Sequence, residues 1–264
     1  MNPRFYFDHV IMERAAHLRR DKPEELISES KEFKYIPTWR DKNLVRASRR
    51  PSAVILGSEE AVWLKENATL TIFLGLDGGT AYFGLDISQV ENPSTVELPV
   101  DSHFEDLRGL ATSIDSKTAG YLAYARALAH WNRSYLYCGR CGTATEVRKY
   151  GHERLCTSKS CGFSHFPRTD PAVIMLVTHP EEEKCLLGHN KRFKGLRFST
   201  IAGFVEPGEA LEHAVAREVK EETGINITDI SYQGSQPWPF PASIMLGFRA
   251  KGTTTEINCA DEEL

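Results

Sequence analysis

Residues 203–225 read GFVEPGEALEHAVAREVKEETGI, and this stretch decides the fold. Pro207-Gly208 closes a loop, and Glu209 is expected to open a helix, where a carboxylate suits the positive N-terminal end of the backbone dipoles. Leu211, Ala214, Val215 and Val219 recur at helical spacing and predict one buried stripe. Glu218 and Glu222 stand four residues apart, so one helical face carries both, with Glu221 beside them. Three crowded carboxylates repel one another and weaken a helix unless cations compensate. Hard oxygen donors in that arrangement recruit Mg2+ or Mn2+, ions that bridge the oxygens of a diphosphate. Gly224 then stops the helix in the left-handed conformation that glycine adopts without penalty. For AREVKEE alone a solvated acidic face is the better reading; the full 23-residue pattern argues against it.

Written as G-x5-E-x7-R-E-V-x-E-E-x-G-I, the stretch resembles a complete Nudix box, with Gly203, Glu209, Arg217, Glu218, Val219, Glu221, Glu222, Gly224 and Ile225 in the fixed places. In that pattern Arg217 braces the corner between loop and helix.

Upstream lie Cys138-x2-Cys141 and Cys156-x4-Cys161, each pair followed by glycine, Gly142 or Gly162. Tight turns with glycine let two thiolates converge on one ion, and two such knuckles complete a tetrahedral S4 site, which suits Zn2+. All four positions are filled by protein, so the expected zinc is structural, a single ion. A segment this short buries little core, so bound metal would supply most of its stability. His152 and His165 lie near enough in sequence to replace a thiolate. Cys185, in the strand-like run Lys184–Leu187, is expected in the core, and Cys259 has no readable role.

Downstream, residues 235–243 read SQPWPFPAS. Alternating prolines stiffen this segment and hold Trp238 and Phe240 between them. Aromatic surface presented to a planar base and aromatics packed into a core are equal alternatives on local chemistry.

Zinc ribbon, Nudix box and SQPWPFPxS together resemble the NADH pyrophosphatase branch of the Nudix hydrolases. The likeness is close over residues 120–264 and looser at Met12-Glu13-Arg14 and Leu18-Arg19. It implies an α/β (α+β) fold: a catalytic Nudix α/β/α sandwich over 167–264, preceded by a zinc ribbon over 131–166 and an N-terminal Nudix-like domain over 1–130. It also implies hydrolysis of NADH or NAD+ to nicotinamide mononucleotide and AMP, action on NAD-capped RNA, and a homodimer.

Residue by residue, the resemblance assigns Glu222, Glu218 and Glu221 to catalysis. The same three, with the Ala202 carbonyl and Glu263, would hold Mg2+ or Mn2+, and Glu222 would orient or deprotonate the attacking water. Phe166, Ala202, Gly203, Phe204, Gln236, Trp238, Phe240 and Ser243 would line the substrate site. The family continues with a further strand and helix that do not occur before Leu264, so the catalytic domain is expected to be C-terminally incomplete, with Glu263 on a frayed end. Alternatives are a Nudix hydrolase of another nucleotide diphosphate such as ADP-ribose, a catalytically weak NAD or capped-RNA binder, and a nucleic-acid-binding ribbon. The last rests on the basic bias of Arg140, Arg148, Lys149, Arg154, Lys159 and Arg168.

Composition is close to the soluble globular norm. The 264 residues carry a net charge of −4, with 41% hydrophobic and 26% charged. That disfavours a protein built to coat nucleic acid. No apolar run approaches the roughly 18–20 residues of a membrane span, and Met1–Val10 has no signal-peptide core. Six cysteines are too few for a disulfide scaffold, so the expected compartment is reducing and cytoplasmic, with no membrane partner. No internal repeat is visible. Thr118–Arg133 and Met12–Arg20 have helical spacing, and Asp77-Gly78-Gly79 reads as a hairpin turn between β-rich runs.

Overall fold

The computed structural model describes residues 6–7, 12–19, 30–110, 113–190 and 195–259. The chain divides into two compact units: Met1–Arg168 with Pro239–Ala242, and Thr169–Trp238 with Ser243–Leu264.

The first unit contains strands β1 (Glu32–Trp39), β2 (Lys42–Arg46) and β3 (Ser52–Ala53), then helix α1 (Val62–Asn67), then β4 (Leu70–Asp77), β5 (Thr80–Asp86) and β6 (Ser102–Glu105). Their sheet has the order β3-β2-β1-β5-β4, with β6 on β2, and β1 and β5 run parallel. The β4–β5 turn has only Gly78 (φ 59°) and Gly79 (φ 84°) at its centre, the positive dihedrals a tight hairpin needs. Helix α2 (Leu107–Leu110) and helix α3 (Ser116–Ser134) follow. The Asp115 side chain caps α3 by accepting from Thr118 N at 2.9 Å. The predicted apolar positions Leu122, Ala125, Leu128, Ala129 and Trp131 are all buried, most of them in one core with Ile36, Ile72 and Leu74 of the sheet.

Residues 12–19 do not form the helix expected over Met12–Arg20, and Arg20 lies outside the described residues. Glu13 exchanges two backbone hydrogen bonds with Leu76, both 2.8 Å, and only a 3-10 turn, Ala16–Leu18, follows. Pairing at the sheet edge outweighs a weak local propensity.

Strands β7 (Thr145–Arg148), β8 (Glu153–Cys156) and β9 (Ser164–His165) form a separate three-stranded sheet in the first unit. It is anchored closely to β4. Gly151, at φ 83°, leaves no room for a side chain, since a Cβ there would meet Ile72 at 2.9 Å. His152 Nε2 donates to the Phe73 carbonyl at 2.7 Å, and burial pushes its pKa down to about 4, so the ring is neutral.

The second unit is a four-stranded sheet of β10 (Asp170–Thr178), β11 (Ile201–Phe204), β12 (Ile227–Trp238) and β13 (Ser243–Gly252), in the order β11-β10-β13-β12. Strands β10 and β13 are parallel, and the outer pairs antiparallel. Helix α4 (Leu211–Thr223) lies on it, with Ala214, Val215 and Val219 fully buried against Val173, Met175, Ile201 and Phe248. The two units share one topology: strand, hairpin partner, helix, outer strand, then a strand returning parallel to the first. Thus β2-β1-β5-β4 corresponds to β11-β10-β13-β12, and α1 stands where α4 stands. The repeat absent from the sequence is present in the chain path.

No helix among the described residues is long and apolar enough to cross a membrane.

Candidate active site and metal centre

The 203–225 stretch folds as a strand, a turn and a helix. Gly203 lies in β11 opposite Val173 of β10. A Cβ on Gly203 would fall inside the Glu218 carboxyl group, so only glycine lets helix and strand approach this closely. Glu218 is shielded there, and desolvation raises its carboxyl above the ordinary carboxylate pKa, against the lowering effect of Arg217.

Arg217 organises the rest. Its Nε and Nη2 donate to the two Glu209 oxygens at 2.8 and 2.9 Å, a bidentate fork. Its Nη2 also reaches the Phe204 carbonyl at 3.0 Å, and Nη1 reaches Glu218 at 2.9 Å and Glu221 at 3.0 Å. This is the expected brace between loop and helix. The guanidinium holds the Glu209 carboxyl down at about pKa 2. Glu209 does not open the helix, however. Helix α4 begins at Leu211 with Ala210 at its N-cap, and Glu209 instead closes the preceding turn by accepting from Glu206 N at 3.1 Å. Bidentate pairing to Arg217 outweighs the weaker attraction of the helix end. Gly224 caps the C-terminus as expected, at φ 74°.

Along α4, Glu218 and Glu222 are half-buried, whereas Glu221 is exposed. Ala202 and Phe204 flank Gly203 and are exposed, Phe204 by 61%. On the β12–β13 ladder Gln236 pairs with Met245 and Trp238 with Ser243. These candidates share the second unit. Phe166 and Phe240 belong to the first. Phe166 is 58% exposed, with the Lys149 ammonium 5.9 Å from its ring centre. Phe240 lies under the guanidinium groups of Arg126, at 4.8 Å, and Arg108, at 5.5 Å. Neither arginine was signalled by the sequence, because more than a hundred residues separate them from Phe240. Glu263 lies outside the described residues.

The four cysteines converge. Their Sγ atoms lie within 4.8 Å of one another, with Cys138–Cys161 at 3.9 Å and Cys141–Cys156 at 3.5 Å, and all four are free thiols. Tetrahedral Zn–S bonds of about 2.3 Å place sulfurs about 3.8 Å apart, so the set fits zinc. Among the described residues no other three Cys, His, Asp or Glu side chains gather their ligand atoms so closely. His152 and His165 are not members: the first is bound to Phe73, and the second is buried between Tyr135 and Phe163. Arg154 is no surface cation either, since it is 6% exposed and donates to Tyr135 and Thr145 carbonyls and to the Thr145 hydroxyl. Cys185 is exposed and not core, because its short run bridges to Thr178 at the sheet margin.

Glu218, Glu221, Glu222 and the Ala202 carbonyl are hard oxygen donors of the kind a small divalent cation takes, but among the described residues the three carboxylates are not gathered at one point, and Glu218 and Glu221 are engaged by Arg217. Residues 168–264 match the family model of the NUDIX domain, residues 34–131 that of the NADH pyrophosphatase-like rudimentary NUDIX domain, and residues 133–166 that of the NADH pyrophosphatase zinc ribbon domain. The chain is 38% identical over 195 residues to the human NAD-capped RNA hydrolase NUDT12, a match covering 71% of this chain and 42% of that protein. It is 44% identical over 145 residues to Nudix hydrolase 19, chloroplastic, of Arabidopsis thaliana, covering 53% and 33%. It is 43% identical over 143 residues to the NAD-capped RNA hydrolase NudC of Pseudomonas aeruginosa, covering 54% and 50%. The matches thus span between a third and a half of these relatives' lengths.

Proposed function

We propose that this chain, whose residues 168–264 match the NUDIX domain, is a Nudix hydrolase that hydrolyses the diphosphate of NADH or NAD+ to nicotinamide mononucleotide and AMP, and removes NAD caps from RNA. The observation that carries this reading is the Glu218 carboxyl seated on Gly203, with Arg217 tying helix to strand beside it. Mg2+ or Mn2+, when bound, neutralises charge on the diphosphate oxygens. The chain's own residues do the rest. Glu218, Glu221 and Glu222, with the Ala202 carbonyl and Glu263, would supply the oxygen ligands. Glu222 orients the attacking water and accepts its proton. Arg217 keeps Glu218 and Glu221 in place, so positioning precedes chemistry. Water adds to one phosphorus, the bridging P–O bond breaks, and two monophosphates leave.

In the second unit Ala202, Gly203, Phe204, Gln236, Trp238 and Ser243 are the residues this reading gives to the nucleotide, with the aromatic rings stacking on a base. The zinc ion, held by Cys138, Cys141, Cys156 and Cys161, is structural. The same reading takes residues 1–130, 131–166 and 167–264 as three domains, the cytoplasm as the compartment, and a homodimer as the assembly.

The test is NADH hydrolysis by the purified zinc-loaded chain, with and without Mg2+ or Mn2+, following AMP by chromatography. AMP release that needs the divalent ion is expected. Faster turnover of ADP-ribose than of NADH points to another nucleotide diphosphate as substrate, and bound NADH without product points to a binder.

A further inference from the structure

The knuckle end of the zinc ribbon carries aromatic rings and cations that the hydrolysis reading leaves unused. Phe163 is 43% exposed and Tyr137 69% exposed. The Arg140 guanidinium lies 5.8 Å from the Phe163 ring centre. Arg140, Lys159, Phe163 and Tyr137 each stand within two residues of a metal-site cysteine, and the four Sγ atoms lie within 4.8 Å of one another. Chain connectivity therefore gathers the four side chains at one end of the ribbon.

The charges there are selective. Residues 133–166 hold six lysines and arginines against two glutamates, in a chain whose net charge is −4. Arg133, Arg148 and Lys149 are ion-paired, to Asp41 and Asp86, to Glu146 and to Glu153, and Arg154 is buried. That leaves Arg140 and Lys159, both exposed, and no Asp or Glu occurs in 137–145 or 156–167. Four thiolates around a zinc dication leave two negative charges, which these two cations offset. The face is thus close to neutral, so it cannot bind by charge alone. Exposed aromatic rings beside an arginine suit a chain of stacked bases with intermittent phosphates, the pattern of sequence-tolerant single-strand recognition.

We propose that this knuckle face holds the nucleotides following the NAD moiety of a capped RNA. The inference rests on the hydrolase reading. Single-stranded RNA is the occupant because its bases use the rings and its phosphates use Arg140 and Lys159.

The experiment takes the zinc-loaded full chain and the variants Phe163→Ala, Phe163→Trp and Arg140→Gln/Lys159→Gln, with zinc content checked in each. Affinity for a 5′-monophosphorylated single-stranded RNA oligonucleotide is read by fluorescence anisotropy at two salt concentrations. Phe163→Ala should weaken it about tenfold, the scale of one lost base–aromatic stack, and Phe163→Trp should retain it. The double variant should weaken binding and flatten its modest salt dependence. With the same oligonucleotide NAD-capped, KM should rise in Phe163→Ala while kcat and NADH turnover stay unchanged. No binding by the wild-type chain, or binding indifferent to all variants, overturns the proposal, as does an equal loss on capped RNA and NADH. Should the chain turn over neither substrate, the anisotropy arm still decides, so failure of the hydrolase reading stays distinguishable.

Discussion

At Gly203 a missing side chain makes the site. The Glu218 carboxyl occupies the space a Cβ would need. Gly203→Ala must therefore push α4 from β11 or turn Glu218 away. A displacement of about 1 Å in a catalytic group costs on the order of 100-fold in rate. We expect that loss in metal-dependent NADH turnover with the secondary structure intact by circular dichroism; an alanine variant within threefold of wild type would refute the cradle. Glu222 makes a second prediction. On the proposed mechanism, Glu222→Gln removes a base and an anionic ligand while keeping nearly the same shape. Turnover should fall by at least 100-fold with the melting temperature held, and near-wild-type rates with Mg2+ would assign the water to another group.

Helix α4 shows what the sequence could and could not convey. Its buried stripe, its acidic face and its Gly224 cap were legible, because each depends on a period or a local backbone requirement. The role of Glu209 was not, because it turns on a bidentate partner eight residues away, stronger than the helix end. The four cysteines were legible from spacing alone; Cys185 was not, since exposure at a sheet margin leaves no mark in a short apolar run. Met12–Arg20 failed for a similar reason, as Leu76 lies far along the chain.

The turn that precedes helix α4 yields a pH prediction. Glu209 has its pKa depressed to about 2, first by its hydrogen bonds from Arg217. A depressed carboxylate stabilises the fold above its unfolded pKa and ceases to do so as pH falls toward the folded value. The melting temperature should therefore drop between about pH 4.5 and pH 2, and Arg217→Ala should flatten that acid limb while lowering stability at neutral pH. Parallel acid limbs in the two proteins would disconnect Arg217 from Glu209.

The whole molecule places a metal-stapled sheet against a larger core. A structural zinc contributes on the order of 10–16 kcal/mol to folding the segment that binds it. Here that segment also packs Gly151 onto Ile72 and His152 onto Phe73. Removing zinc with a strong chelator, or replacing Cys156 by serine, should thus lower the calorimetric transition of the entire first unit, beyond the loss of the ribbon's own signal. An unchanged transition after verified zinc loss would make the ribbon a passive appendage. The shared topology of the two units is equally a whole-molecule property. Sequence comparison within the chain misses it, because the first unit keeps the strand path while α1 lacks the acidic face of α4.

That path also sets an order of assembly on the ribosome. In the first unit the sheet closes when residue 80 meets residue 32, and in the second when residue 243 meets residue 170. Longer loops close more slowly and at greater entropic cost, so the earlier-made sheet has every kinetic advantage. Yet Pro239–Ala242 belongs to the first unit, and Phe240 packs on its core. The first unit therefore gains its last packing residue only after residue 240 has been made, long after the strands of its own sheet.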